Sequence, residues 1–154
     1  MRKKIITFAI FTLFVVVGLI PSKAAFAEVC NMKILGVNSA YKSLYGDYGR
    51  VNNYQQNEFT PISLTTKYPC ILVNKTNNLG PLSIYVDGKY LCDYDVNNNT
   101  DDKDIYSWGC DVESDTTSYE IIFNNLKSGN HRIMVNAKDA YKNSIGDFID
   151  IVLP

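Results

Sequence analysis

Six oxygen-bearing residues between Cys92 and Cys110 have the spacing of a calcium loop. Counted from Asp93, the EF-hand pattern asks for oxygen ligands at positions 1, 3, 5, 7, 9 and 12, the seventh being a backbone carbonyl. The chain offers Asp93, Asp95, Asn97, the Asn99 carbonyl, Asp101 and Asp104. Two positions depart from the pattern. Asn98 replaces the glycine of the sharp turn, although Asn tolerates the left-handed conformation better than most residues. Asp104 replaces Glu, which shortens the reach needed for a bidentate contact. Strand-like sequence also flanks the loop where an EF-hand has helices. The plainer account is a solvated surface excursion, because Asp and Asn favour loops for backbone reasons alone. Exposed carboxylates ~7 Å apart repel by only ~0.6 kcal/mol in water. The eight acids of residues 93–115 can therefore share a loop without a cation. A weak extracellular site, with a dissociation constant of ~0.1–1 mM, would add only ~0.4–1.4 kcal/mol at millimolar calcium. The expectation is a chain with no required cofactor, Ca2+ being the one ion this loop could hold.

Catalytic constellations are sparse. His131 is the single histidine, so histidine-cluster metal sites are out of reach and any Ser-His-Asp site would have to form around it. No nucleophile-elbow motif accompanies it. The carboxylates crowd one loop and flank no evident cleft, unlike the paired acids of a glycosidase. The chain reads as a non-enzyme with no catalytic residues. Eleven tyrosines give a different opening. Tyr41, Tyr45, Tyr48 and Tyr54 lie close together and could form an exposed aromatic patch, the kind of surface that binding proteins use. The alternative is that half of them pack with only the hydroxyl wet.

The elements that must position these residues follow an export segment. Arg2, Lys3 and Lys4 precede an apolar run from Ile5 to Ile20, and Ala25-Phe26-Ala27 completes a cleavable secretory signal at residues 1–27. A run this short falls below the ~20 residues of a spanning helix, so the mature chain, 28–154, is expected to be secreted, extracellular and free of the membrane. Eleven basic residues against sixteen acidic ones then leave a net charge of −5 after cleavage. Residues 93–115 alone contribute eight acids and one Lys, so the rest of the domain is close to neutral. That distribution argues against nucleic acid as a partner, since phosphate binding needs Lys and Arg. A single domain of this size can bury roughly two-thirds of its unfolded surface.

All four cysteines (Cys30, Cys70, Cys92 and Cys110) lie beyond the cleavage site, an even number in an exported chain, and read as two disulfides. Three connectivities are open. The favoured one joins Cys92 to Cys110 across the acidic loop and Cys30 to Cys70 at the N-terminal strand, each worth about 3–4 kcal/mol.

Strand signals recur every 8–15 residues and helical periodicity is almost absent, which is the pattern of an all-β antiparallel sandwich. Leu82, Ile84 and Val86 should face the core and Ser83 and Tyr85 should face out; Tyr119, Ile121 and Phe123 alternate likewise. Asp87-Gly88 marks a tight hairpin. Residues 38–66 are the least readable, with Tyr41, Leu44, Tyr45 and Tyr48 at helical spacing behind a Ser39 cap. Farther on, "LSIYVDGKYL" and "NNLKSGNHRIMVNAKDAYKNSIGDFIDIVL" carry an Asp-Gly hairpin, a Leu126/Gly129/His131 corner and an Ala137/Asp139 turn ahead of a final strand. Residues 68–154 thereby resemble a bacterial Ig-like domain, although Lys142 stands where that family has Gly before Asn143. The layout also resembles small secreted proteins of Bacillus-type bacteria. The resemblance implies an Ig-like or fibronectin III-like sandwich of about seven to eight strands and places His131 at a structural corner. The whole reading is a secreted, monomeric, non-catalytic module that binds a protein or the cell-envelope surface. The competing reading is a secreted effector, meaning a toxin, a bacteriocin-like factor or an enzyme inhibitor.

Overall fold

Short β-branched and aromatic runs with a two-residue period form strands, because alternate side chains then reach the same face. A computed structural model describes residues 30–44, 48–49, 54–56, 61–94 and 104–154, apart from the side chains of 106–110. Residues 1–27, expected from the sequence to be a secretory signal, lie outside these residues. The described part is all-β, with nine strands: β1 (Met32–Ser39), β2 (Ile62–Ser63), β3 (Pro69–Thr76), β4 (Leu82–Val86), β5 (Lys89–Tyr94), β6 (Ile105–Val112), β7 (Thr116–Phe123), β8 (Gly129–Lys138) and β9 (Ser144–Leu153). Eight match the sequence signals. The ninth is β2, a two-residue strand whose parallel pairing with β9 is the one departure from an antiparallel arrangement.

The strands form two open sheets, a four-stranded one in the order β1-β3-β7-β6 and a five-stranded one in the order β2-β9-β8-β4-β5. Their inner faces share one core that contains Ile34, Val37, Ile71, Val73, Tyr119, Ile121 and Phe123 from the first sheet. Leu82, Ile84, Ile133, Val135, Ile149 and Ile151 enter it from the second. Each such side chain contributes roughly 1.5–3 kcal/mol by leaving water. Tyr94 of β5 meets Tyr119 of β7 edge to face at 5.5 Å, bridging the sheets. At one edge, Asp147 of β9 accepts the Ile34 backbone amide at 2.8 Å, next to a register shift between Ile34 and Gly36.

The β4–β5 hairpin turns on Asp87 and Gly88 at φ 51° and 75°, the doubly left-handed pair that a two-residue turn requires. The Asp87 carboxylate accepts the Arg132 amide at 2.9 Å. The His131 ring spans the other Asp87 oxygen, at 2.8 Å, and the Lys127 carbonyl, at 2.7 Å. At the far end, Asp139 accepts the amides of Tyr141 and Asn143. Lys142 sits at φ 67° there, in the left-handed region that glycine would occupy freely.

The segment after β1 does not begin with a capped helical turn. Ser39 ends β1, and its hydroxyl accepts the Thr65 amide at 2.8 Å, while Lys42 bridges Tyr48 in antiparallel fashion. Among the described residues, Ala40 and Tyr48 instead form a second buried cluster with Cys70 and Ile122 on the outer side of the four-stranded sheet, with Tyr54 and Tyr68 packed on it, while Ile62 and Leu64 join the core between the sheets. Gly36 permits this cover. A Cβ there would come within 2.9 Å of both the Gln55 carbonyl oxygen and the Tyr54 Cβ. Burial of Ile122 beside Ile121 and Phe123 follows from having apolar layers on both sides of β7.

Candidate functional site

Of the six loop residues singled out by spacing, the structure describes two, Asp93 and Asp104. Asp93 sits in β5 and accepts the Ser83 hydroxyl at 2.6 Å. Asp104 stands just before β6 in the other sheet, where its carboxylate accepts the Asn125 amide at 2.6 Å. Asp95, Asn97, Asn99 and Asp101 lie outside the described residues. Among the described residues, no three His, Cys, Asp or Glu side chains converge as a metal site would require.

The tyrosine cluster divides. Tyr48 is only 6% exposed; it packs edge to face on Tyr68 at 5.6 Å and donates its hydroxyl to Asn124. Tyr54 is half-buried with its hydroxyl 3.4 Å from the Cys70 sulfur. Burial, ahead of any partner, pushes the Cys70 thiol up to about 12 and also raises the Tyr54 phenol. Tyr41 is 65% exposed, and Tyr45 lies outside the described residues. Tyr48 and Tyr54 therefore belong to the layer over the four-stranded sheet and not to an open patch.

The expected Cys30–Cys70 bridge is absent. Met32 pairs with Lys75 and Asn38 with Cys70, so the two cysteines flank opposite ends of the β1–β3 ladder. At ~3.4 Å per residue they stand on the order of 20 Å apart, far beyond the ~4.4–6.8 Å that a disulfide spans between Cα atoms. Cys30 and Cys70 are free thiols. Cys92 is buried in β5, and the Cys110 side chain lies outside the described residues.

The surface that combines exposure with chemistry is the outer face of the five-stranded sheet. Register places two rungs side by side across four strands. The first runs Asp93, Ser83, Asn136, Gly146, and the second runs Tyr90, Tyr85, Met134, Phe148. With strands ~4.8 Å apart, each rung spans roughly 14 Å. The second rung is apolar yet open, Tyr90 being 56% and Phe148 53% exposed. Tyr85 and Tyr90 meet edge to face at 5.6 Å, so one ring's plane stands across the other's. At the opposite end the Arg132 guanidinium lies 4.3 Å from the Phe148 ring centre and is locked by two 2.7 Å bonds to Asp150. That pairing holds the Asp150 carboxyl below its ordinary value.

The polar rung floors an open concavity of about 270 Å³ lined by Ser83, Tyr85, Asp93, Asn136, Lys138 and Ser144, with Gly80, Pro81 and Ala137 at its margin. Asn136 lies directly over Gly146; a Cβ at 146 would come within 1.8 Å of its side-chain oxygen, so glycine is what lets the amide lie there. Burial and then the Asp93 carboxylate, which also hydrogen-bonds the phenol, hold Tyr90 above its ordinary pKa. The site thus offers a carboxylate, a hydroxyl, an amide and an ammonium beside an aromatic wall. Sequence reading missed it as a unit. Its signal was the outward position of aromatic residues on alternating strands, visible for Tyr85, but the register joining Tyr85 to Tyr90 and Phe148 is a tertiary property.

Compared with known proteins, the chain matches no family model, no curated protein and no solved structure.

Proposed function

We propose that this chain is an exported, non-catalytic Ig-like module that works outside the cell. It binds a protein or cell-surface ligand through the outer face of its five-stranded sheet. The observation that carries this reading is the aromatic rung, in which two large apolar side chains stay more than half exposed beside a polar concavity. A monomeric protein has no stability reason to keep such a rung open, because burying it would be favourable. The Ig-like part is supported by strand order. The sequence β1-β3-β7-β6 reproduces the A-B-E-D sheet, and β9-β8-β4 the G-F-C sheet, of that architecture. A Cys92–Cys110 bridge belongs to the same proposal. Cys110 is the register partner of Tyr119, and Tyr119 touches Tyr94, two residues from Cys92.

Co-sedimentation of the purified protein with isolated bacterial envelopes tests the binding function. The wild type should pellet, and Tyr90→Ala/Phe148→Ala should remain in the supernatant with an unchanged melting temperature. Equal pelleting of both proteins would remove the proposed face. No pelleting of either would favour a diffusible effector.

A further inference from the structure

We infer that the ligand of this face is an uncharged polysaccharide, lying across the strands with one sugar ring in the concavity and its neighbours along the aromatic rung. The inference rests on the binding reading above and adds the chemistry of the partner.

Charge is the first argument. Asp93 and Lys138 stand at two sides of the concavity and balance each other, while Arg132 is consumed by Asp150. Among the described residues, the charges of this face are therefore balanced, on a chain whose acids outnumber its bases. An anionic ligand would find no free cation cluster, and a cationic one would find only a single, already hydrogen-bonded carboxylate.

Polarity is the second. Protein–protein interfaces place the apolar residues at the centre and the polar ones at the rim. Here polar groups occupy the concave part, where Asp93, Ser83, Asn136 and Lys138 stand beside the Tyr85 ring, and the more exposed Tyr90 and Phe148 lie outside it. A pyranose ring needs that arrangement. Its equatorial hydroxyls both donate and accept, matching a carboxylate, a hydroxyl, an amide and an ammonium set close together. Its C–H face is apolar and slightly positive, matching the negative face of a tyrosine or phenylalanine ring. A concavity of about 270 Å³ is small beside the ~300–1,000 Å³ of drug-sized sites. It fits one unit of a chain whose other units bind along the rung.

The test uses the purified protein, envelopes treated with either protease or periodate, and insoluble chitin, cellulose and starch. Periodate cleaves sugar diols, while protease leaves glycan intact. The expected result is pelleting with at least one of the three polysaccharides, survival of envelope binding after protease, and its loss after periodate. Tyr85→Ala and Asn136→Ala should each weaken pelleting roughly tenfold. Tyr85→Phe, which keeps the ring, should retain most of it, and Gly146→Ala, which displaces the Asn136 amide, should weaken it about as much as Asn136→Ala does. Envelope binding that survives periodate and disappears with protease would overturn the polysaccharide while leaving the binding module standing. Binding to neither envelopes nor polysaccharides would overturn both.

Discussion

The two outer faces of this molecule carry similar residues and treat them in opposite ways. On the four-stranded sheet, Tyr48, Tyr54 and Tyr68 belong to a segment that folds over Cys70 and Ile122 and closes the face. On the five-stranded sheet, Tyr85, Tyr90 and Phe148 stand on the strands themselves, and Tyr90 and Phe148 are left exposed. Tyrosine serves both, because its ring adds apolar area and its hydroxyl can be satisfied by a partner or by water. Among the described residues, what separates the faces is the path of the chain between β1 and β3, part of which packs over the four-stranded sheet. A cluster of aromatic residues in sequence is therefore a poor guide to an exposed patch, and a cluster in register is a better one.

The largest difference should appear in thiol chemistry. Cys70, buried under Tyr54 with its pKa pushed to about 12, should be alkylated about a thousandfold more slowly than an ordinary exposed cysteine. Half-buried Cys30 should react ahead of it. Rapid labelling of Cys70 in the native protein would mean that the cover is open.

Next in size, Tyr48→Ala should cost about 3–5 kcal/mol in denaturant unfolding. It should leave binding per folded molecule unchanged, since its partners are Tyr68 and Asn124.

Acid should loosen the open sheet by a smaller amount. The Asp150 carboxyl is lowered first by Arg132 and the Asp139 carboxyl first by the Asn143 amide. For Asp87, burial pushes upward but the Arg132 amide and His131 outweigh it. Folded values below the ordinary 3.8 mean that these groups contribute stability above that pH and lose it as pH falls further. The melting temperature should therefore drop below about pH 4, and Asp150→Asn should flatten the acid limb.

Lys142→Gly should raise stability by roughly 0.5–1 kcal/mol by relieving the left-handed backbone at the β8–β9 turn. Smallest of all, Tyr90→Ala should shift unfolding by no more than about 0.5 kcal/mol while abolishing envelope binding. A large loss of stability there would mean that the open face is held for folding and not for a ligand.

Much of this architecture was legible along the chain. Recurring strand signals matched eight of the nine strands, alternation was explicit in β4 and β7, and Asp87-Gly88 located its hairpin, because pleat and turn are decided by neighbours a few residues away. Lys142, in place of a glycine, was visible as a departure before its positive φ gave the reason. The calcium spacing of Asp93 and Asp104 was equally local, but it could not say that the two carboxylates already serve Ser83 and Asn125 on different sheets. Cysteine parity suggested bridges, yet strand register set Cys30 and Cys70 at opposite ends of one ladder. Residues 38–66 were the least readable, because Ala40, Tyr48 and Tyr54 take their places from the surface they cover and not from a period of their own.

By itself the amino-acid order determined most strands, the tight turn and the inward or outward sides of β4 and β7, all of which depend on backbone geometry within a few positions. Which outward residues become neighbours, and which of the two outer faces stays open, was decided only by the pairing of distant strands and the path of one long connection. Those contacts are set by burying the most apolar surface at once, a property of the whole chain.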